Sequence, residues 1–61
     1  MDDLKKRVYD YIMKSGRHWH PYSIRDQEEI AEEFELTLTE ASEVLQELAM
    51  DEKTGAPFKL A

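Results

Sequence analysis

Five glutamates stand close together in the middle of the chain and could indicate general acid–base chemistry. They are Glu28, Glu29, Glu32, Glu33 and Glu35. Acid–base catalysis needs at least one carboxyl group in an apolar pocket, where burial raises its pKa. Five carboxylates that mostly face outward from one helix are instead typical of a solvated surface. The sequence also has no cysteine nucleophile and no Gly-rich phosphate loop. We therefore expect that the protein is not an enzyme.

Two histidines flank a tryptophan and could form half of a zinc site. His18 and His20 would project from the same side of an extended segment. A complete site would need further ligands, and without cysteine these would have to be carboxylates that the sequence does not identify. The alternative, which we favour, is a polar loop with Trp19 anchored in the core. We predict no metal and no cofactor.

Basic and aromatic residues also gather in one segment, and such clusters contact phosphates and bases in many nucleic-acid-binding proteins. The members are Arg17, His18, Trp19, His20, Tyr22 and Arg25. In a domain this small, however, the aromatic rings can complete a core that three short helices cannot fill. We favour that use for Trp19 and Tyr22, and it leaves the basic residues available for other contacts.

Charge is unevenly distributed along the 61 residues, whose formal net charge is −6. Residues 1–25 carry six basic and three acidic side chains, whereas residues 26–61 carry two basic and eleven acidic ones. A nucleic acid would therefore meet electrostatic fields of opposite sign on the two halves of the chain.

Length and composition predict one small domain, spanning residues 1–61. A domain of this size hides only about 60% of the surface that its unfolded chain exposes, so its stability is marginal. The lack of cysteine excludes disulfides and thiolate metal sites. No apolar run approaches the roughly 20 residues needed to cross a bilayer, and the first residues do not resemble a signal peptide. We expect a cytoplasmic protein that does not contact a membrane.

Apolar residues recur with helical spacing in three segments, which predicts helices near 2–14, 26–35 and 38–50. The predicted core is Leu4, Val8, Tyr11, Ile12, Ile30, Ala31, Phe34, Leu36, Val44, Leu45, Leu48 and Phe58. Tyr9 and Met13 lie off the apolar stripe of the first helix. They are candidate contacts of a homodimer, or else isolated exposed residues of the kind common on protein surfaces.

Capping signals mark where the second and third helices begin. Thr37 followed by Glu40 has the spacing of a capping box, immediately before the apolar run of the third helix. The second helix has two candidate N-caps, Asp26 and Ser23, between which the sequence does not decide.

Two short strands are predicted outside the helices. Pro21 blocks helix formation, and a strand is expected at 22–24. In the tail, Phe58 and Leu60 alternate with Lys59 after a turn at Thr54–Gly55. We expect the two segments to pair in a small sheet.

This order of elements resembles the winged helix-turn-helix family. The matching apolar residues are Ile30, Ala31, Phe34, Leu36, Ala41, Val44, Leu45 and Leu48. The resemblance implies a mainly α fold with a small β-hairpin, a helix-turn-helix at about 26–50 and a wing at about 51–61. Glu35 departs from the pattern, because the family usually has glycine at this turn, where the backbone adopts a positive φ. Either Glu35 accepts this conformation or the turn differs slightly. The alternative is a plain three-helix bundle.

The resemblance further implies DNA binding by a small regulator of transcription. Carried over to this chain, the residues that face bases are Thr37, Thr39, Ser42, Glu43 and Gln46. Phosphate contacts would come from Arg17, His18, His20, Arg25 and Lys53.

Acidic residues on the third helix leave a second hypothesis open. Glu40, Glu43 and Glu47 line this helix, whereas affinity for DNA comes largely from basic side chains. The alternative is an acidic winged-helix interaction module that docks on a basic protein partner, as an adaptor or regulator of a DNA-associated complex. On the family resemblance we favour double-stranded DNA as the partner.

Overall fold

Three α-helices account for most of the computed structural model, which describes residues 3–59. Helix α1 spans Asp3–Ser15, α2 spans Ile24–Phe34 and α3 spans Leu38–Met50. The prediction of a mainly α protein with three helices is confirmed, although α2 begins two residues earlier than expected. Within the described range, no helix combines the length and the apolar character that a membrane span requires.

The N-cap of α2 is Ser23, not Asp26. The Ser23 hydroxyl accepts a hydrogen bond from the backbone N–H of Asp26, at 3.5 Å, and Ser23 itself has extended backbone angles. The Asp26 carboxylate is used elsewhere, since it accepts the backbone N–H of His20 at 2.8 Å and pairs with Arg17. Tertiary contacts therefore decide between the two candidate caps.

Glu35, in the turn between α2 and α3, accepts a positive φ, with a φ of 57° and a ψ of 50°. The N–H groups of Glu35 and Leu36 both donate to the carbonyl of Ala31, which ends α2. A left-handed conformation costs a residue other than glycine about 1–2 kcal/mol. The half-buried Leu36 packs against the core and helps to hold this conformation.

The capping box at the start of α3 is confirmed. The Thr37 hydroxyl accepts the Glu40 backbone N–H at 3.1 Å, and the Glu40 carboxylate accepts the Thr37 backbone N–H at 3.0 Å. The box satisfies two donors at the helix end that would otherwise lack a partner.

No β-hairpin forms within residues 3–59, so the predicted wing is wrong over the part of it that the structure describes. The backbone after α3 is occupied by turns instead. Thr54 donates its backbone N–H to Asp51 and its hydroxyl to the Leu48 carbonyl, and Phe58 donates its N–H to Gly55. The two backbone bonds therefore close local turns on either side of Thr54–Gly55, where the predicted hairpin needed bonds between strands. Leu60 lies outside the described residues.

The predicted strand at 22–24 is also wrong. Tyr22 lies in a turn that is closed by a hydrogen bond from the Ser23 N–H to the His20 carbonyl, and Ile24 is the first residue of α2. The tail pairs with Trp19 instead of the predicted strand at 22–24, through an isolated parallel bridge between Trp19 and Phe58. Trp19 donates its N–H to Pro57 and accepts from Lys59, both at 2.8 Å.

The core lies where the three helices meet the Trp19 loop and the tail. Buried apolar residues in the described range are Val8, Ile12, Trp19, Ile30, Ala41, Val44, Leu45, Leu48, Ala49 and Phe58. Five predicted core residues are only half-buried at its edge, namely Leu4, Tyr11, Ala31, Phe34 and Leu36. Trp19 is in the core, as favoured, whereas Tyr22 is exposed and that expectation was wrong.

Candidate interaction surface

The outward side of α3 carries the residues expected to face bases. Thr39 and Glu43 are exposed, whereas Ser42 and Gln46 are half-buried. The Gln46 side-chain amide donates to the Ser42 hydroxyl at 2.8 Å, one helical turn away. The structure thus brings four of the predicted residues onto one side of a helix, and two of them already hydrogen-bond to each other.

Thr37, the fifth residue of that set, has a structural task. Its hydroxyl and its backbone N–H both bond to Glu40 in the capping box. A contact of the Thr37 side chain with another molecule would compete with the cap, whose loss costs about 1 kcal/mol.

Acidic side chains dominate α2 and α3. Between residues 24 and 50 the sequence has nine acidic residues and one basic residue, Arg25. One of the acidic side chains, Glu47, forms an ion pair with Lys5 of α1. Glu28, Glu32 and Glu43 are exposed and make no ion pair or hydrogen bond to another side chain of the described range. These three carboxylates, which we call the acidic surface, face solvent.

Arg17, a predicted phosphate contact, is engaged within the protein. One guanidinium nitrogen lies 2.9 Å from a carboxylate oxygen of Glu29 and 3.2 Å from one of Asp26. The other terminal nitrogen donates to the His18 carbonyl at 3.1 Å, and the group lies over the Trp19 ring. A contact between Arg17 and a phosphate would have to replace these interactions.

The other predicted phosphate contacts lie on different segments of the chain. His18 is exposed in the loop after α1, Arg25 is exposed in the first turn of α2, and Lys53 is exposed in the turn after α3. His20 is half-buried, and its Nδ1 accepts the Tyr22 backbone N–H at 3.2 Å. Across residues 3–59 no three histidine, aspartate or glutamate side chains come together as metal ligands would, so the His18–His20 pair gains no third ligand.

Glu29 connects α2 to α1, a role that the sequence did not reveal. Its carboxylate accepts the Tyr11 hydroxyl at 3.0 Å as well as the Arg17 guanidinium. The hydrogen bond to Glu29, followed by burial and the negative charge of Glu29, raises the pKa of Tyr11 above 10.0. The spacing of Asp26 and Glu29, three apart on one helix, was the available signal, because it places both carboxylates on the same side.

The two candidate dimer contacts lie in different surroundings. Tyr9 is half-buried against the core, contrary to the expected outward position, and lines a groove of about 360 Å³ with Lys6, Leu48 and Asp51. Met13 is exposed beside a second groove, of about 270 Å³. A dimer through these residues stays a prediction.

Comparison with known proteins found no matching family model, no matching curated protein and no matching solved structure.

Proposed function

We propose that this protein is a small helix-turn-helix module that docks on a basic protein partner through α2 and α3. The observation that carries the proposal is the charge of these helices and of the turn between them, which together hold nine acidic residues against Arg25 alone between residues 24 and 50. Arg17, one of the cations expected to contact phosphate, is already paired with Asp26 and Glu29.

The acidic surface of Glu28, Glu32 and Glu43 is suited to meeting lysine and arginine side chains. Complementary charge steers two proteins together and suppresses binding to partners of the wrong sign. Because these carboxylates have no ion-pair partner in the described part of the chain, a partner's cations need not displace an existing contact.

The same surface disfavours the phosphate backbone of DNA. Affinity for duplex DNA depends on basic side chains that neutralise phosphates and release counterions. Helix α3 has no lysine or arginine, and three glutamates lie along it. A duplex seated on α3 would therefore be repelled where it should be bound.

Sequence-specific DNA binding is the second candidate, and the local geometry of α3 favours it. The helix begins with a well-formed cap after a tight turn, and Thr39, Ser42 and Gln46 can each read a base edge. In this candidate, a helix-turn-helix regulator would place α3 in the major groove, with Arg25 and Lys53 on phosphates.

A triple substitution separates the two candidates. Glu28→Gln, Glu32→Gln and Glu43→Gln together remove three charges from the acidic surface without touching a cap or an ion pair. At roughly 0.2–1 kcal/mol for each lost pair, binding to an arginine-rich 20-residue peptide should weaken by about tenfold. If the protein binds DNA instead, the same variant should bind a mixed-sequence duplex more tightly, because repulsion falls.

The matched control removes three charges from elsewhere. Asp3, Asp10 and Glu52 are exposed outside α2 and α3, so Asp3→Asn, Asp10→Asn and Glu52→Gln change the net charge equally. Equal weakening of peptide binding in both triple variants would mean that only net charge matters, and the docking surface would be rejected. Duplex binding by the wild type at about 50 mM salt that strengthens in the first variant would favour DNA.

A further inference from the structure

The outer side of α3 presents apolar groups as well as charge. Residues four apart on a helix form a ridge, and here one ridge consists of Leu38, Ser42, Gln46 and Met50. Leu38 is 44% exposed and Met50 is 78% exposed. At a rise of 1.5 Å per residue, these two side chains are about 18 Å apart along the helix axis. We call these four residues the α3 ridge.

The centre of the α3 ridge is polar but uncharged. Gln46 donates to the Ser42 hydroxyl at 2.8 Å, so each side chain satisfies part of the other's hydrogen-bonding capacity. A polar pair that is bonded internally loses less on being covered than groups that are stripped of water with no replacement. The ridge can therefore be covered by a partner along its whole length.

Carboxylates run beside this ridge. The neighbouring row of residues four apart is Thr39, Glu43 and Glu47. Glu43 has no partner among the described side chains, and Glu47 pairs with Lys5. A ridge with apolar ends, an uncharged centre and a parallel acidic row is the complement of a helix that has an apolar stripe flanked by lysines or arginines.

Resting on the proposed function, we infer that the partner segment is a basic amphipathic helix that packs lengthwise on the α3 ridge. Its apolar row contacts Leu38 and Met50, and its cations pair with Glu43. Methionine adapts its shape to different partners, which suits an exposed end of the ridge. An extended peptide would need an open strand edge, and residues 3–59 offer only the isolated bridge between Trp19 and Phe58. A second copy of the chain is opposed by its net charge of −6.

The probe for this inference is a displayed library of random 16-residue peptides, selected against the whole chain. Enriched peptides should combine lysine or arginine with apolar residues three and four apart. Their affinity should fall by about tenfold for Leu38→Gln with Met50→Gln, the loss expected for two anchor residues. The matched control is Tyr22→Gln with Ile24→Gln, because both residues are 59% exposed and neither lies on α3. That control should bind as the wild type does, and circular dichroism should show helical spectra for all variants.

Three results would overturn the inference. Basic peptides could bind the Leu38→Gln, Met50→Gln variant unchanged while losing affinity for the acidic-surface triple variant. The α3 ridge would then be rejected and the proposed docking on a basic partner retained. If no basic peptides were enriched, the α3 ridge and the proposed docking on a basic partner would both be rejected. If sedimentation showed a wild-type dimer that the ridge variant dissociates, the occupant would be a second copy of the chain.

Discussion

The guanidinium carbon of Arg17 lies 3.6 Å from the centre of the Trp19 ring. The same group pairs with Asp26 and Glu29 of α2. One cation therefore covers the face of the Trp19 ring and also connects the loop after α1 to α2. A cation over an aromatic face contributes about 0.5–2 kcal/mol, more when it is shielded from water. A residue expected to contact phosphate thus has a measurable role in stability.

We expect Arg17→Ala to lower the free energy of unfolding by about 1–2 kcal/mol, since it removes the ring contact and two partly exposed ion pairs. The free energy of unfolding of Arg17→Lys should lie between those of Arg17→Ala and the wild type, because lysine keeps the charge but cannot stack as a plane. Urea denaturation measures both. Arg25→Ala is the control, as Arg25 is exposed without a side-chain contact, and equal losses at the two arginines would contradict the prediction.

Leu45→Ala should leave the protein largely unfolded. Leu45 is fully buried, and truncation of a buried leucine costs about 2–5 kcal/mol, a large share of the stability of a small domain. Thermal melting followed by circular dichroism measures this. Leu38→Ala on the same helix should be milder, since that side chain is part-exposed. A native-like melting curve for Leu45→Ala would mean that α3 faces the core with a different side.

Glu35→Gly should stabilise the protein by up to about 1 kcal/mol. Glycine removes the strain of about 1–2 kcal/mol at φ 57°, and its greater freedom in the unfolded chain offsets about 0.5–1 kcal/mol. Glu35→Ala is the control, because it removes the charge and keeps the strain. If alanine stabilised as much as glycine, the charge at the end of α2, not the backbone, would be the cause.

Tyr11 should ionise above pH 10.0, because Glu29 accepts its proton in a hydrogen bond and opposes the phenolate charge. Its folded pKa is raised above the unfolded value. The contribution of the Tyr11–Glu29 hydrogen bond to the free energy of unfolding is therefore fully present below pH 10, and it is lost as pH rises through the folded pKa. Absorbance at alkaline pH measures the ionisation. Glu29→Gln should move the Tyr11 pKa down, and an unchanged titration in that variant would contradict the assignment.

Gly55→Ala should destabilise the protein by about 1–3 kcal/mol, the usual cost of overpacking. A Cβ at this position would lie 2.9 Å from the Ala49 carbonyl oxygen and 3.0 Å from that of Asp51. Both are backbone atoms at the end of α3, so the tail would have to shift. Chemical denaturation measures this loss in the free energy of unfolding. The control is Lys53→Ala, at an exposed residue nearby. Equal stability of the two variants would show that the tail adapts to the added methyl group.

The helices were predictable because their signals are local. The stripe through Val8 and Ile12, and the spacing of Thr37 and Glu40, depend only on residues within a few positions of each other. At Glu35 the sequence left two alternatives open, a strained residue or a different turn, and the structure has the positive φ.

The loop and the tail were not predictable because distant residues decide them. Asp26 stands at a position typical of an N-cap, yet its carboxylate pairs with Arg17 and accepts the His20 backbone N–H. The bridge joins Phe58 to Trp19, and no turn signal between them specifies that register. The sequence does not predict the pairing of Arg17 for the same reason, because its partners Asp26 and Glu29 lie on another helix.

The bridge between Trp19 and Phe58 also supplies an optical reporter. Trp19 is the one tryptophan in the sequence, and its indole N–H donates to the Ser15 hydroxyl at 2.9 Å. Trp19 is buried, and its backbone is hydrogen-bonded to Pro57 and Lys59 of the tail. We therefore expect its fluorescence to change when the tail detaches, whereas far-ultraviolet circular dichroism follows the helices. Segments held by few backbone bonds can open before the whole domain unfolds. An emission midpoint at lower denaturant than the dichroism midpoint would identify the tail as a separately opening unit, and coincident midpoints would make the protein a single cooperative unit.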